Sequence, residues 1–134
     1  MRILIHTADP VGRQSCRPRT AINFFGATDL RARNDKLLEA LLGPDPSPAL
    51  KAEASPIPHV SADDPPTLSL HGADDSLVPS AQSVALHQAL TAALVPNRLV
   101  TVEGGTHGRN WFQVSDAAAW QRALVEWLTT HLKS

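Results

Sequence analysis

Tyrosine is absent from these 134 residues, cysteine occurs once, and phenylalanine and tryptophan occur three times each. A single thiol, Cys16, cannot close an internal disulfide, so the chain gives no support to a disulfide scaffold or an oxidising compartment. No apolar run approaches the roughly 20 residues of a membrane helix. The opening MRILIHTADP lacks both the apolar length and the small-residue cleavage site of a secretory signal. Twelve Lys and Arg against thirteen Asp and Glu leave a net charge of −1, which excludes the basic field that a nucleic-acid partner needs. These absences predict a cytoplasmic chain with neither nucleic acid nor membrane as partner. His71, Asp74 and Asp75 form a compact cluster, but no second histidine pair or cysteine set completes a coordination shell, so no metal and no cofactor is expected.

What is present suits one α/β domain, since 134 residues bury one core and leave no room for two. Residues 1–19 look unlike the rest: Arg2 to His6 is a short β-branched run, and Thr7 to Arg19 shows neither helical nor strand periodicity. AINFFG, from Ala21, reads as a buried strand. Residues 27–66 are rich in Pro and charge and predict a lid-like excursion. It holds one helix at Asp35 to Leu42, capped by Asn34, stopped at Gly43 and striped by Leu37, Leu38, Leu41 and Leu42, while PDPSP and SPIP forbid long regular structure. From Thr67 a strand, helix, strand, helix order follows: Thr67 to His71, Ser80 to Leu94, Asn97 to Val102 and Ser115 to Leu132. Leu86, Leu90 and Leu94 stripe the first of these helices, and Trp120, Leu124, Trp127 and Leu128 stripe the second. Strands alternating with amphipathic helices mean parallel pairing through right-handed crossovers.

In a parallel sheet, catalytic groups gather beyond the carboxyl ends of the strands. Two loops lie there: HGADDSLVP, His71 to Pro79, and GGTHG, Gly104 to Gly108. Asp75 precedes His107 by 32 residues, in the order acid then histidine. A carboxylate bonded to one imidazole nitrogen fixes the tautomer and leaves the other nitrogen to take a proton from a nucleophile. Taken singly, each is more often a turn residue or a structural histidine; jointly, in this order, they point to a triad. His6, His59, His87 and His131 have no partners at useful spacing and read as surface or helix-face residues.

The runs PPTLSLHGADDSLVPSAQSVALHQAL, LVTVEGGTHG and INFFGATDL resemble the C-terminal half of α/β-hydrolase esterases, near the acetyl-esterases and the catalytic domains of prolyl-oligopeptidase-type peptidases. The resemblance covers residues 20–134. It implies a partial, three-layer α/β-hydrolase fold whose parallel sheet corresponds to the family's last three strands with their flanking helices. It also implies a small-molecule ester as the substrate of the intact family, Asp75 as triad acid, His107 as general base, and His71 as a structural strand-end residue. The excursion would roof the site.

The family's nucleophile stands in Gly-x-Ser-x-Gly, and no such motif occurs here. Ser15 lacks flanking glycines. Ser15 and Cys16 both precede the AINFF strand by too few residues for the helix that follows a nucleophile elbow. The oxyanion donors of the family are likewise missing. The expectation is a carboxylesterase-type serine hydrolase by resemblance, with acid and base but little hydrolysis by this chain alone. The alternatives are a peptidase-type relative and a non-catalytic binding module that self-associates through an exposed edge of the first strand, unless Arg2 to His6 covers that edge. With a permissible choice of codons, Val11 to Pro18 read one nucleotide later spells SAGNLAA, which resembles the family's continuation of the elbow. Sequencing the DNA upstream of Met1 is expected to show Gly-x-Ser-x-Gly in the shifted frame; a frame without it removes this idea.

Overall fold

Three β-branched or apolar runs bounded by Pro and Gly become three strands. In the computed structural model, which describes residues 15–133, the order is β1 (Ala21–Phe24), α1 (Lys36–Leu42), α2 (Pro48–Ala54), β2 (Thr67–Gly72), α3 (Ala81–Ala92), β3 (Asn97–Val102) and α4 (Ala117–Leu132). A 3-10 turn, Ile57–His59, precedes β2. The sheet is parallel and ordered β1-β2-β3, with Ala21 opposite Thr67 and Thr67 opposite Asn97. This is the partial α/β-hydrolase architecture that the sequence predicts. Arg2 to His6 lies outside the described residues.

β2 is buried along its whole length, and its two faces differ. Leu68 and Leu70 join Val102, Trp111 and Trp120 in one core cluster, against which Leu124 and Trp127 of α4 pack. Thr67, Ser69 and His71 alternate with them and are also buried. The hydroxyl of Ser83 on α3 lies 2.7 Å from His71 Nδ1, so α3 covers this polar face and α4 the apolar one. A second cluster, Leu86, Leu90 and Val95, closes against Ile57 and Val60 of the excursion. Each indole N–H of the three tryptophans has an acceptor: Trp111 bonds Thr106 O, Trp120 bonds Trp111 O and Trp127 bonds Thr20 Oγ1.

Local chemistry revises several boundaries. Asp35, not Asn34, caps α1, because its carboxylate accepts the Leu38 N–H at 3.0 Å. Only Leu38 of the predicted α1 stripe is buried, and Leu37 and Leu41 face solvent. The Pro-rich stretch holds a seven-residue helix, α2, because Ser47 caps it and Pro48 sits at its first position, where no N–H is needed. α4 begins at Ala117, two residues later than expected. His131 is not without a neighbour, its ring lying 4.2 Å from that of Trp127.

Leu94 does not belong to the α3 stripe. It follows the helix end with φ of 60° and is 90% exposed. Its N–H bonds Thr91 O, and the Val95 N–H bonds Leu90 O, which satisfies the last carbonyls and turns Val95 inward onto Leu90. A leucine in the left-handed region is strained by about 1 to 2 kcal/mol. Leu94→Gly, which removes that strain and no packing, is expected to stabilise the chain by about 0.5–1 kcal/mol in urea denaturation.

Candidate active site

Two loops follow the carboxyl ends of β2 and β3, and backbone contact joins them. Ala73 N–H bonds Val102 O and Asp74 N–H bonds Gly105 O, each at 2.9 Å. Gly72 and Gly105 face each other so closely that a Cβ at Gly72 would stand 2.2 Å from Gly105 O. Only glycine fits there. Beyond this contact the β3 loop is closed by Asn110, whose Oδ1 accepts from Thr106 N and Thr106 Oγ1 and whose amide donates to Gly104 O. The buried Trp111 pins the Thr106 carbonyl from below.

The two candidate residues named from the sequence, Asp75 and His107, meet at this rim. His107 Nδ1 lies 2.8 Å from Asp75 Oδ2. The carboxylate is fully buried, whereas the imidazole side chain is 33% exposed. Asp75 Oδ1 accepts from Leu77 N at 3.0 Å and Val78 N at 2.8 Å, the pattern of a carboxylate closing its own turn. Burial works to raise the Asp75 pKa. The hydrogen bond from Val78, the bond and charge of His107 and the bond from Leu77 outweigh it, and the carboxyl is held below its ordinary value. An ionised Asp75 makes His107 Nδ1 the donor and leaves Nε2 as the proton acceptor.

Phe25 completes the setting. Its ring lies 4.5 Å from the His107 ring and edge-on to Trp111. Its φ of 42° swings the chain out of β1 just as the strand reaches the rim. No feature of the sequence marks that torsion. His71, near the end of β2, is buried and bonded to Ser83 and the Val78 carbonyl, and its Nε2 also lies 3.3 Å from Asp75 Oδ2. The sequence signal of that approach was its position four residues before Asp75, across a strand end. Asp74 is exposed and takes no part in the pair. Among the described residues no group of three His, Cys, Asp or Glu side chains is placed to hold a metal.

Ser15 and Cys16 lie away from this rim. Thr20 Oγ1 bonds Pro66 O, Arg17 bonds Asp63 O and Arg19 reaches Lys133 O, which ties this segment to the amino-terminal ends of the strands. His107 follows the carboxyl end of β3.

Comparison with known proteins agrees with this fold. Residues 6–90 match the BD-FAE family. The probable carboxylic ester hydrolase LipM of Mycobacterium tuberculosis is 38% identical over 77 residues, covering 50% of this chain and 18% of LipM. An acetyl ester-xyloside bifunctional hydrolase from Caldicellulosiruptor lactoaceticus superimposes with a TM-score of 0.81 at 31% identity, covering 93% of this chain and 47% of that one. A truncated carbohydrate esterase from gut microbiota gives 0.66 at 29% identity, over 81% of this chain and 42% of its own. The chain has part of the α/β-hydrolase fold that these esterases share, and it belongs to the BD-FAE family. It spans less than half the length of these relatives.

The depressed Asp75 pKa makes stability depend on acid. A carboxyl whose folded pKa lies below its unfolded value of about 3.9 contributes stability that is complete well above that value and lost as pH falls through the folded pKa. The urea midpoint is therefore expected to drop as pH falls below about 4, and the drop is expected to be smaller in Asp75→Asn. Identical acid limbs in the two proteins would contradict the shift.

Proposed function

We propose that this chain carries the acid and base of an ester-hydrolysing site, with Asp75 as orienting acid and His107 as general base, acting on small acyl esters. The observation that supports it most is the 2.8 Å contact between a buried carboxylate and a one-third-exposed imidazole whose Nε2 is left to accept a proton. His107 Nε2 takes the proton of the attacking hydroxyl, Asp75 stabilises the imidazolium, and the proton passes to the leaving alkoxide. In the family resemblance that hydroxyl belongs to Gly-x-Ser-x-Gly, and these 134 residues contain no such motif. Turnover by this chain alone is accordingly feeble. Residues 27–66 roof the acid's side of the site. In support, Arg33 Nη2 donates to Leu77 O at 3.3 Å, and Lys51 Nζ is anchored to Arg33 O.

The test is hydrolysis of a short-chain nitrophenyl ester. His107→Ala and Asp75→Ala are each expected to reduce whatever turnover the chain has to the uncatalysed background. Turnover undiminished in both would end the proposal.

One observation favours a second reading, a binding module. Among the described residues β1 pairs with β2 alone, and an apolar groove of about 470 Å³ is lined by Ile22 of β1 with Val60, Leu86 and Leu90 among others. An inert but well-folded sample that self-associates with concentration in light scattering would support it. A monomer at every concentration would oppose it.

A further inference from the structure

Asp75 is held by more than His107. His71 is fully buried, with Nε2 2.8 Å from Val78 O and 3.3 Å from Asp75 Oδ2, and Nδ1 2.7 Å from Ser83 Oγ. A carbonyl oxygen accepts and never donates, so Nε2 carries the hydrogen. The other end of the ring is fixed with equal economy. Asn23 Nδ2 donates to Ser83 Oγ at 3.2 Å, and the serine spends its own hydrogen on His71 Nδ1. Asn23 is itself oriented, because its Oδ1 accepts the Gly26 N–H and its amide also reaches Ser69 Oγ. Every hydrogen bond in this row has one direction, running from Asn23 on β1 through Ser83 on α3 to His71 on β2 and on to the carbonyl of Val78, the residue whose own N–H holds Asp75 Oδ1.

The carboxylate sits beyond the end of that row. An ionised carboxylate offers about four acceptor positions. Leu77 and Val78 N–H groups donate to Oδ1 and His107 Nδ1 to Oδ2, while His71 Nε2 lies 3.3 Å from Oδ2 with its hydrogen on Val78 O. Two of the three donors belong to the β2 loop and hold the carboxylate whatever His107 does, and His71 holds that loop in turn through the Val78 carbonyl.

We infer that His71, locked by Ser83 as the Nε2–H tautomer, is a positioning residue: by holding the Val78 carbonyl it fixes the loop that sets Asp75 Oδ2 where His107 Nδ1 meets it. The inference rests on reading Asp75 and His107 as acid and base, and its test needs no turnover. Side-chain ¹H–¹⁵N spectra of the full chain at neutral pH are expected to show His71 as the Nε2–H tautomer and a downfield Nδ1–H proton on His107. Ser83→Ala, with unchanged circular dichroism, is expected to release the His71 tautomer and shift or broaden the His107 proton. His71→Leu is expected to raise solvent exchange of that proton by about tenfold. His71→Gln, which keeps a terminal N–H donor, is expected to restore it. A purely structural histidine would leave the His107 proton unmoved in folded variants. A wild-type chain with no His107 Nδ1–H resonance overturns the pairing and this inference with it. A resonance that Ser83→Ala and His71→Leu both leave untouched overturns the role of His71 alone.

Discussion

Gly72 and Gly105 meet backbone to backbone, and the site depends on that meeting. With a Cβ at Gly72 placed 2.2 Å from the Gly105 carbonyl, any side chain there would drive the β2 and β3 loops apart. The Asp74 N–H bond to Gly105 O would be lost first. Asp75 sits one residue beyond that bond and His107 two residues beyond Gly105, so a small parting of the backbones would separate carboxylate from imidazole. The glycines of HGADD and GGTHG thus act through distance: they let two neighbouring strand ends touch, and the side chains that follow inherit the register.

Burying a carboxylate is the second demand the fold must meet. An unpaired charge in this position would protonate rather than persist. Donors from the Leu77 and Val78 backbone and from the His107 imidazole outweigh desolvation, and Asp75 remains the ionised partner. The same demand explains β2. A central parallel strand is ordinarily apolar on both faces, yet here Thr67, Ser69 and His71 line the face toward α3. That face carries a polar row that ends on the loop bearing Asp75, and Asn23, Ser83 and the Val78 carbonyl satisfy it.

Much of this was legible before any coordinates. Strand periodicity and Gly and Pro punctuation located β1, β2 and β3 to within a residue, because parallel core strands are written as short apolar or β-branched runs. The spacing of the two loops brought Asp75 and His107 to one rim, since both follow neighbouring strand ends. Leu94 shows where pattern fails: it continues a four-residue repeat in sequence, but the helix has already ended and the backbone turns it to solvent. Asn34 and Asp35 are equally good caps on paper. The choice fell to Asp35 because its oxygen reaches the Leu38 N–H.

The sequence by itself determined the class of fold, the order of its layers and the identity of the acid and base candidates, because these rest on local periodicity and on motifs read along the chain. The tertiary structure alone decided which side chains attend them. Phe25 reaches the His107 ring through a backbone torsion that its residue type does not announce. Ser83 and Asn23 come to His71 from other elements, 12 and 48 residues away in sequence. Such contacts depend on how layers pack and where a hydrogen bond finds its acceptor, and neither quantity is periodic along a chain.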